Sequence, residues 1–317
     1  MRTILHLVLS GCLLAAACAR AAETAAARLV PADALWHIQV DFERLKETRL
    51  GQKILTELEQ TPLVRVFEGL KVALNFDPRQ DLAQAAAFGW EFGENKVVIV
   101  AKGKFDAARL QELVTANPEY ASEKYGEHLI HGWRDARRAA RGFPDSRTFG
   151  AVHGQDVVVV APQAALVRSA LEVLDKPALS RQGRKAADPV PGGPFLAASA
   201  ARVALPNLPP PIQAIVQDLK GLEGEMAEIE GGQVRLTVRL SAPNEETAKA
   251  YRDVLQGVRG ALTLVKDRPV LNQLAGNWVT SQQGSQASAT LQMPVEEIIP
   301  WVQRAMNQRR RQGGVER

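Results

Sequence analysis

Apolar residues recur in this chain with two periods, and the switches between them lay out its elements. In 34–42, Trp36, Ile38, Val40 and Phe42 alternate with His37, Gln39 and Asp41, the pattern of a half-buried strand. Leu50, Ile54, Leu55 and Leu58 then follow at helical spacing until Pro62, and 64–74 predicts a second short helix. Asn75 to Asp81 breaks it with Asx and proline turn chemistry. Strands are predicted over 84–92 and 96–105, joined at Gly93-Glu94-Asn95. Asp106 is placed to cap a helix whose apolar side is Ala107, Leu110, Leu113 and Val114. Residues 120–133 read as paired strand turning at Gly126, and 134–147 as a polar, basic connection. A hairpin over 148–153 and 156–161 turns at Gly154-Gln155, and Pro162 opens a helix carrying Ala165, Leu166, Ala170, Leu171, Val173 and Leu174.

After a Pro- and Gly-rich stretch the same order restarts. Residues 195–205 predict a strand and 209–219 a short helix opened by prolines. Strands over 222–230 and 234–242 meet at Gly231-Gly232, with Val234, Leu236, Val238 and Leu240 on the inner side and Arg235, Thr237 and Arg239 outside. Asn244 caps a long helix striped by Ala248, Tyr251, Leu255, Val258, Leu262 and Val265. A last hairpin, 277–282 and 285–293, precedes a helix striped by Val295, Ile298, Ile299, Val302 and Met306, which Pro300 should kink. The expected fold is α+β: two similar domains, 22–179 and 195–317, each an antiparallel sheet backed by helices in a ferredoxin-like duplication, joined by a linker at 180–194. The strand end Gly103-Lys104-Phe105-Asp106 and its counterpart Ser241-Ala242-Pro243-Asn244 share the cap and not the glycine or lysine. The repeated element is therefore a scaffold joint, not a phosphate-binding turn.

The first residues change the picture of where the chain works. Arg2, an apolar run over 4–17 and Ala19-Arg20-Ala21 form an export signal, 1–21, cleaved near Ala21 and too short to span a bilayer. Leu9-Ser10-Gly11-Cys12 also matches a lipoprotein box, the alternative being a lipidated Cys12. It is disfavoured because few apolar residues precede Cys12. Both cysteines, Cys12 and Cys18, lie in this signal, so the mature chain is cysteine-free and holds together by core burial without disulfides. Without Arg2 and Arg20 the chain carries 37 bases against 35 acids, nearly neutral. That balance gives no argument for nucleic acid.

The chemical inventory is sparse. Glu127-His128-Leu129-Ile130-His131 is not H-E-x-x-H, and on a strand His128 and His131 point to opposite faces, so neither a metal nor a cofactor is expected. There is no G-x-S-x-G elbow and no phosphate loop of either common kind, and no catalytic residue is assigned. Arg134, Arg137, Arg138 and Arg141 form a candidate anion or partner patch, able to meet a membrane surface, and a second basic cluster is Arg304, Arg309, Arg310, Arg311 and Arg317. Charge of this kind is more often plain solvation.

Trp36, Val40-Asp41, Leu50-Gly51 and Gly103-Lys104-Phe105-Asp106 with Leu110 give the chain a pattern. It resembles uncharacterised exported proteins of some Gram-negative lineages, and that resemblance carries no activity and no functional residues. The expectation is an exported periplasmic or cell-envelope protein that binds an unknown protein or envelope component and is not an enzyme. The alternative is an envelope hydrolase with a site assembled from distant residues around His128, His131 or His153.

Overall fold

The computed structural model describes residues 28–61, 63–117, 119–140, 142–143, 145–181, 193–201, 218–263, 274–300 and 303. In chain order these give β1 (Trp36–Asp41), α1 (Phe42–Glu47), α2 (Arg49–Glu59), α3 (Leu63–Leu74), α4 (Pro78–Asp81), β2 (Leu82–Gly89) and β3 (Val98–Gly103). Next come α5 (Ala107–Thr115), β4 (Ala121–Tyr125), β5 (His128–Arg134), α6 (Ala136–Ala140), β6 (Arg147–His153), β7 (Val157–Ala161) and α7 (Ala164–Asp175). The remainder are β8 (Leu196–Ala200), β9 (Gly221–Ile229), β10 (Gln233–Ser241), α8 (Glu245–Thr263), β11 (Trp278–Gln283) and β12 (Gln286–Pro294). The chain divides into two compact units, one drawn from Glu23–Leu45 and Leu55–Ala186, the other from Lys46–Ile54 and Ala187–Arg317. The predicted signal, most of the linker, residues 209–217 of the predicted short helix and the C-terminal arginines lie outside the described residues.

The first unit carries an antiparallel sheet in the order β1-β2-β3-β7-β6-β5-β4. One face supplies Ala86, Phe88, Val98, Val100, Ile130, Ala151, Val157 and Val159, and Val167, Ala170 and Leu171 of α7 join them in a single core. Alternation explains this: residues two apart on a strand share a face, and the α7 apolar stripe lies along it. The second unit orders its strands β8-β9-β10-β12-β11, and α8 lays Ala248, Tyr251 and Leu255 against Ala287 and Ala289. Gly231 and Gly232 turn β9 into β10 at φ of 76° and 68°, a region glycine enters without steric cost.

Two expectations change. In a ferredoxin-like unit the first strand does not neighbour the second, whereas here β1 pairs β2 from Trp36↔Gly89 to Asp41↔Gln84, and β8 pairs β9. What the units do share is a three-stranded meander, a capped helix, and a return whose last strand pairs with the third. The sidedness of β1 is also reversed. His37, Gln39 and Asp41 are the buried residues, while Trp36, Ile38 and Val40 are half-buried. On this buried polar face Asp41 Oδ1 accepts the Arg44 amide at 3.0 Å, whereas Gln39 Oε1 has no hydrogen-bond partner among the described residues.

Both predicted caps form: Asp106 Oδ1 accepts the Arg109 amide at 3.0 Å, and Asn244 Oδ1 accepts that of Thr247 at 2.8 Å. The glycine ahead of the first cap has a packing reason. A Cβ on Gly103 would lie 2.5 Å from the Asp81 carbonyl oxygen, whose other neighbour is the Lys104 amide, bonded to it at 3.0 Å. Phe76 and Phe105 stack beside this contact with centroids 4.7 Å apart. The obstacle is backbone, which cannot swing away. Gly103→Ala is therefore expected to cost about 2 kcal/mol, read as a lowered urea midpoint with an unchanged slope.

Candidate functional site

Alternation and register bring together three side chains that are remote in sequence. β5 and β6 are antiparallel with His131 opposite Gly150, and the same register carried on sets His128 at the start of β5 opposite His153 at the end of β6. Their rings stack with centroids 5.3 Å apart and planes 30° from parallel. His128 shares its strand face with Ile130, the face that α7 covers. The last residue of α7 is Asp175, so the helix delivers a carboxylate to the edge of that face where the two imidazoles stand.

The contacts are close. His128 Nε2 lies 3.0 Å from both Asp175 oxygens, and His153 Nε2 lies 3.1 Å from Oδ1. A carboxylate only accepts, so each imidazole presents Nε2–H to it. Burial pushes the Asp175 carboxyl up, but the hydrogen bonds and charges of His128 and His153 together outweigh this and hold it below its ordinary value. Side-chain exposure rises from 15% for His128 through 27% for His153 to 43% for Asp175, so the cluster opens to solvent on the carboxylate side. α7 is fixed against the sheet by Val167, Ala170 and Leu171, all nearly inaccessible, and by Arg168, whose Nη2 reaches both Glu123 oxygens of β4 at 2.7 and 2.8 Å.

His131, the other histidine of the Glu127–His131 run, faces away from this cluster, as its strand position requires, and shares a 3.0 Å hydrogen bond with the Tyr120 hydroxyl through Nδ1. Burial lowers its pKa. The histidine that joins His128 is therefore His153, and Asp175 was not foreseen. One signal was present in the sequence. An aspartate at the last position of a helix stands against the negative end of its dipole, an unfavourable placement unless positive or donor groups meet it.

Of the four arginines of the basic connection, Arg134 and Arg138 have described side chains. Arg138 is buried, donating from Nη2 to Asn95 Oδ1 at 2.6 Å and to the Asp145 carbonyl at 3.2 Å, with its guanidinium 4.7 Å from the Phe143 ring centroid. The connection folds into α6, and this anchor turns one predicted surface cation into part of the interior. Arg134 is exposed and paired with Glu119 at 2.7 Å. The Arg137 side chain and Arg141 lie outside the described residues.

No helix among the described residues is long and apolar enough to cross a membrane. No family model and no curated protein matches the chain. Solved structures of TP0453 are similar to it: crystal form III at a TM-score of 0.45 and 10% identity, covering 89% of this chain and 99% of that one, and crystal form I at 0.42 and 11%, covering 90% and 98%.

Proposed function

We propose that this chain is an exported, non-enzymatic binding protein of the periplasm or cell envelope, built from two related α+β units, and that it holds its ligand at the His128–His153–Asp175 cluster. The observation that supports this reading is convergence: two strands and a helix end bring three polar groups to one solvent-facing point, all on rigid elements. The cluster opens to solvent on its carboxylate side, with hydrogen-bond donors and a carboxylate, and among the described residues no serine, cysteine or threonine shares its hydrogen bonds. Recognition of a small solute asks for nothing more, whereas hydrolysis also asks for a nucleophile, either a side chain or a water activated by a base or a metal. The hydrolase alternative keeps one argument in its favour, that a His–Asp pair is the usual means of activating a nucleophile.

The test separates the two. The low-molecular-weight fraction of an envelope extract is expected to raise the melting temperature of the full chain and to leave a His128→Ala/His153→Ala double variant unmoved. Ester, phosphoester, glycoside and peptide substrates are expected to be turned over no faster than in buffer. Turnover that the double variant loses would establish the hydrolase instead.

A further inference from the structure

The binding reading leaves the ligand open, and the geometry of the cluster narrows it. From the three donor atoms we infer that the His128–His153–Asp175 cluster is a binding site for a divalent transition-metal cation of the zinc class. The inference rests on the binding reading above and names its ligand. The potential ligand atoms of the three side chains, one from each, all lie within 4.8 Å of one another. A cation bound about 2.0–2.2 Å from nitrogen and carboxylate donors in tetrahedral geometry keeps those donors about 3.3 Å apart. The present separations of 3.0 to 3.1 Å between Nε2 atoms and carboxylate oxygens need to open by only a few tenths of an ångström, and the two histidine donors, within 4.8 Å of each other, need to settle at a similar spacing.

The donor set decides the class of metal. Two imidazole nitrogens and one carboxylate oxygen suit zinc, cobalt, nickel or copper, whereas calcium and magnesium are held by shells made wholly of oxygen. The entering cation takes the place of the proton on each Nε2, whose lone pair then faces the metal. A neutral imidazole loses that proton to solvent and takes one up at Nδ1, so one N–H bond breaks, one forms and the charge of the ring is unchanged. The surrounding field favours positive charge. Asp175 ends α7, so the partial negative charge of the last carbonyls adds to the carboxylate. Lys176 is the nearby cation that would oppose it, and its amine is drawn to Glu172 at 2.9 Å. Tyr125 stands opposite His128 across the β4–β5 pair; on the same face Glu123 is paired with Arg168 and Lys102 with Asp156.

Three protein donors leave at least one coordination position open, which a water or a bound solute would fill. A metal open in this way also suits hydrolysis, so the turnover assay above is repeated with Zn²⁺ bound.

The test titrates Zn²⁺, and Co²⁺ as a visible reporter, into the chelator-stripped full chain. One equivalent is expected to bind, with Co²⁺ giving the intense absorption of a four-coordinate centre, and Ca²⁺ and Mg²⁺ are not expected to compete. Loss of an outer-shell partner costs 10- to 100-fold in affinity, so removal of a direct ligand in His153→Ala or Asp175→Asn is expected to exceed about 100-fold. His131→Ala, on the same strand but the other face, is expected to change nothing. Asp175→Asn is nearly isosteric and keeps the test valid if a histidine variant fails to fold. Absence of binding to the full chain, or binding that survives both ligand variants, overturns the inference. The chelator separates the two proposals. If envelope solutes still stabilise the protein in its presence, and the double histidine variant abolishes this, the binding reading stands and the metal falls. If neither an envelope solute nor Zn²⁺ binds the full chain, both fall.

Discussion

Acidification from pH 7.5 to 4.5 in the presence of a chelator is expected to remove roughly 3 kcal/mol of folding stability through His37 alone. The imidazole is 5% exposed on β1, and burial first, then the positive charge of Arg181, lowers its pKa from 6.5 to about 3. Between those values the unfolded chain binds a proton at this position and the native chain does not. Stability is therefore greatest above pH 6.5 and falls as pH drops toward 3, by about 1.4 kcal/mol per unit. His131, also lowered by burial, adds in the same direction, whereas Asp175, lowered below 3.8, contributes only at more acidic pH. Urea unfolding at pH 7.5, 5.5 and 4.5 measures the slope. His37→Gln should flatten it whatever the substitution costs at neutral pH. Parallel slopes in the variant and the parent would assign acid sensitivity elsewhere.

The second large effect belongs to Asp77. This carboxylate is 3% exposed and accepts from the Arg79 amide at 3.1 Å, from Nε at 2.8 Å and from Nη2 at 2.7 Å. It caps α4, and Asp81 replies by accepting the Asp77 amide at 2.7 Å. The Arg79 side-chain hydrogen bond is the main cause that lowers the Asp77 pKa, against the opposing effect of burial. Its contribution is thus present above pH 3.8 and is lost as pH falls through the lowered native value. Asp77→Ala strips the cap and leaves a largely buried guanidinium with one remaining carboxylate, Glu68 at 2.7 Å. A loss of about 3 kcal/mol is expected, from the lost cap together with a largely buried guanidinium left with a single exposed partner. Asp77→Asn, which keeps an acceptor for the amide, should lose about half as much. Equal losses in the two variants would show that charge pairing plays no part.

Much of the scaffold was legible. The caps at Asp106 and Asn244, the turns at Gly126, Gly154 and Gly231-Gly232, and the helix beginning beyond Pro162 depend on residues within a few positions of each other. Sequence records such local chemistry directly. The sidedness of β1 was not legible, because an alternating strand shows two faces without saying which is covered, and here the polar face is the buried one. The site was hidden for a related reason. β5 and β6 are separated by the 134–147 connection and share no tight turn, so their register could not be counted from a hairpin. Without that register His128 has no reason to meet His153, and the visible neighbour His131 draws attention to the wrong face.

That dependence on pairing gives the histidine pair a use during folding. A one-residue slip of β6 against β5 would turn His153 to the opposite side of the sheet and dismantle the cluster at once. Any ligand that grips both rings recognises the correctly aligned strands and no misaligned competitor, so it stabilises the native alignment by mass action. The cluster would then proofread the pairing of strands that the chain joins only through a long connection.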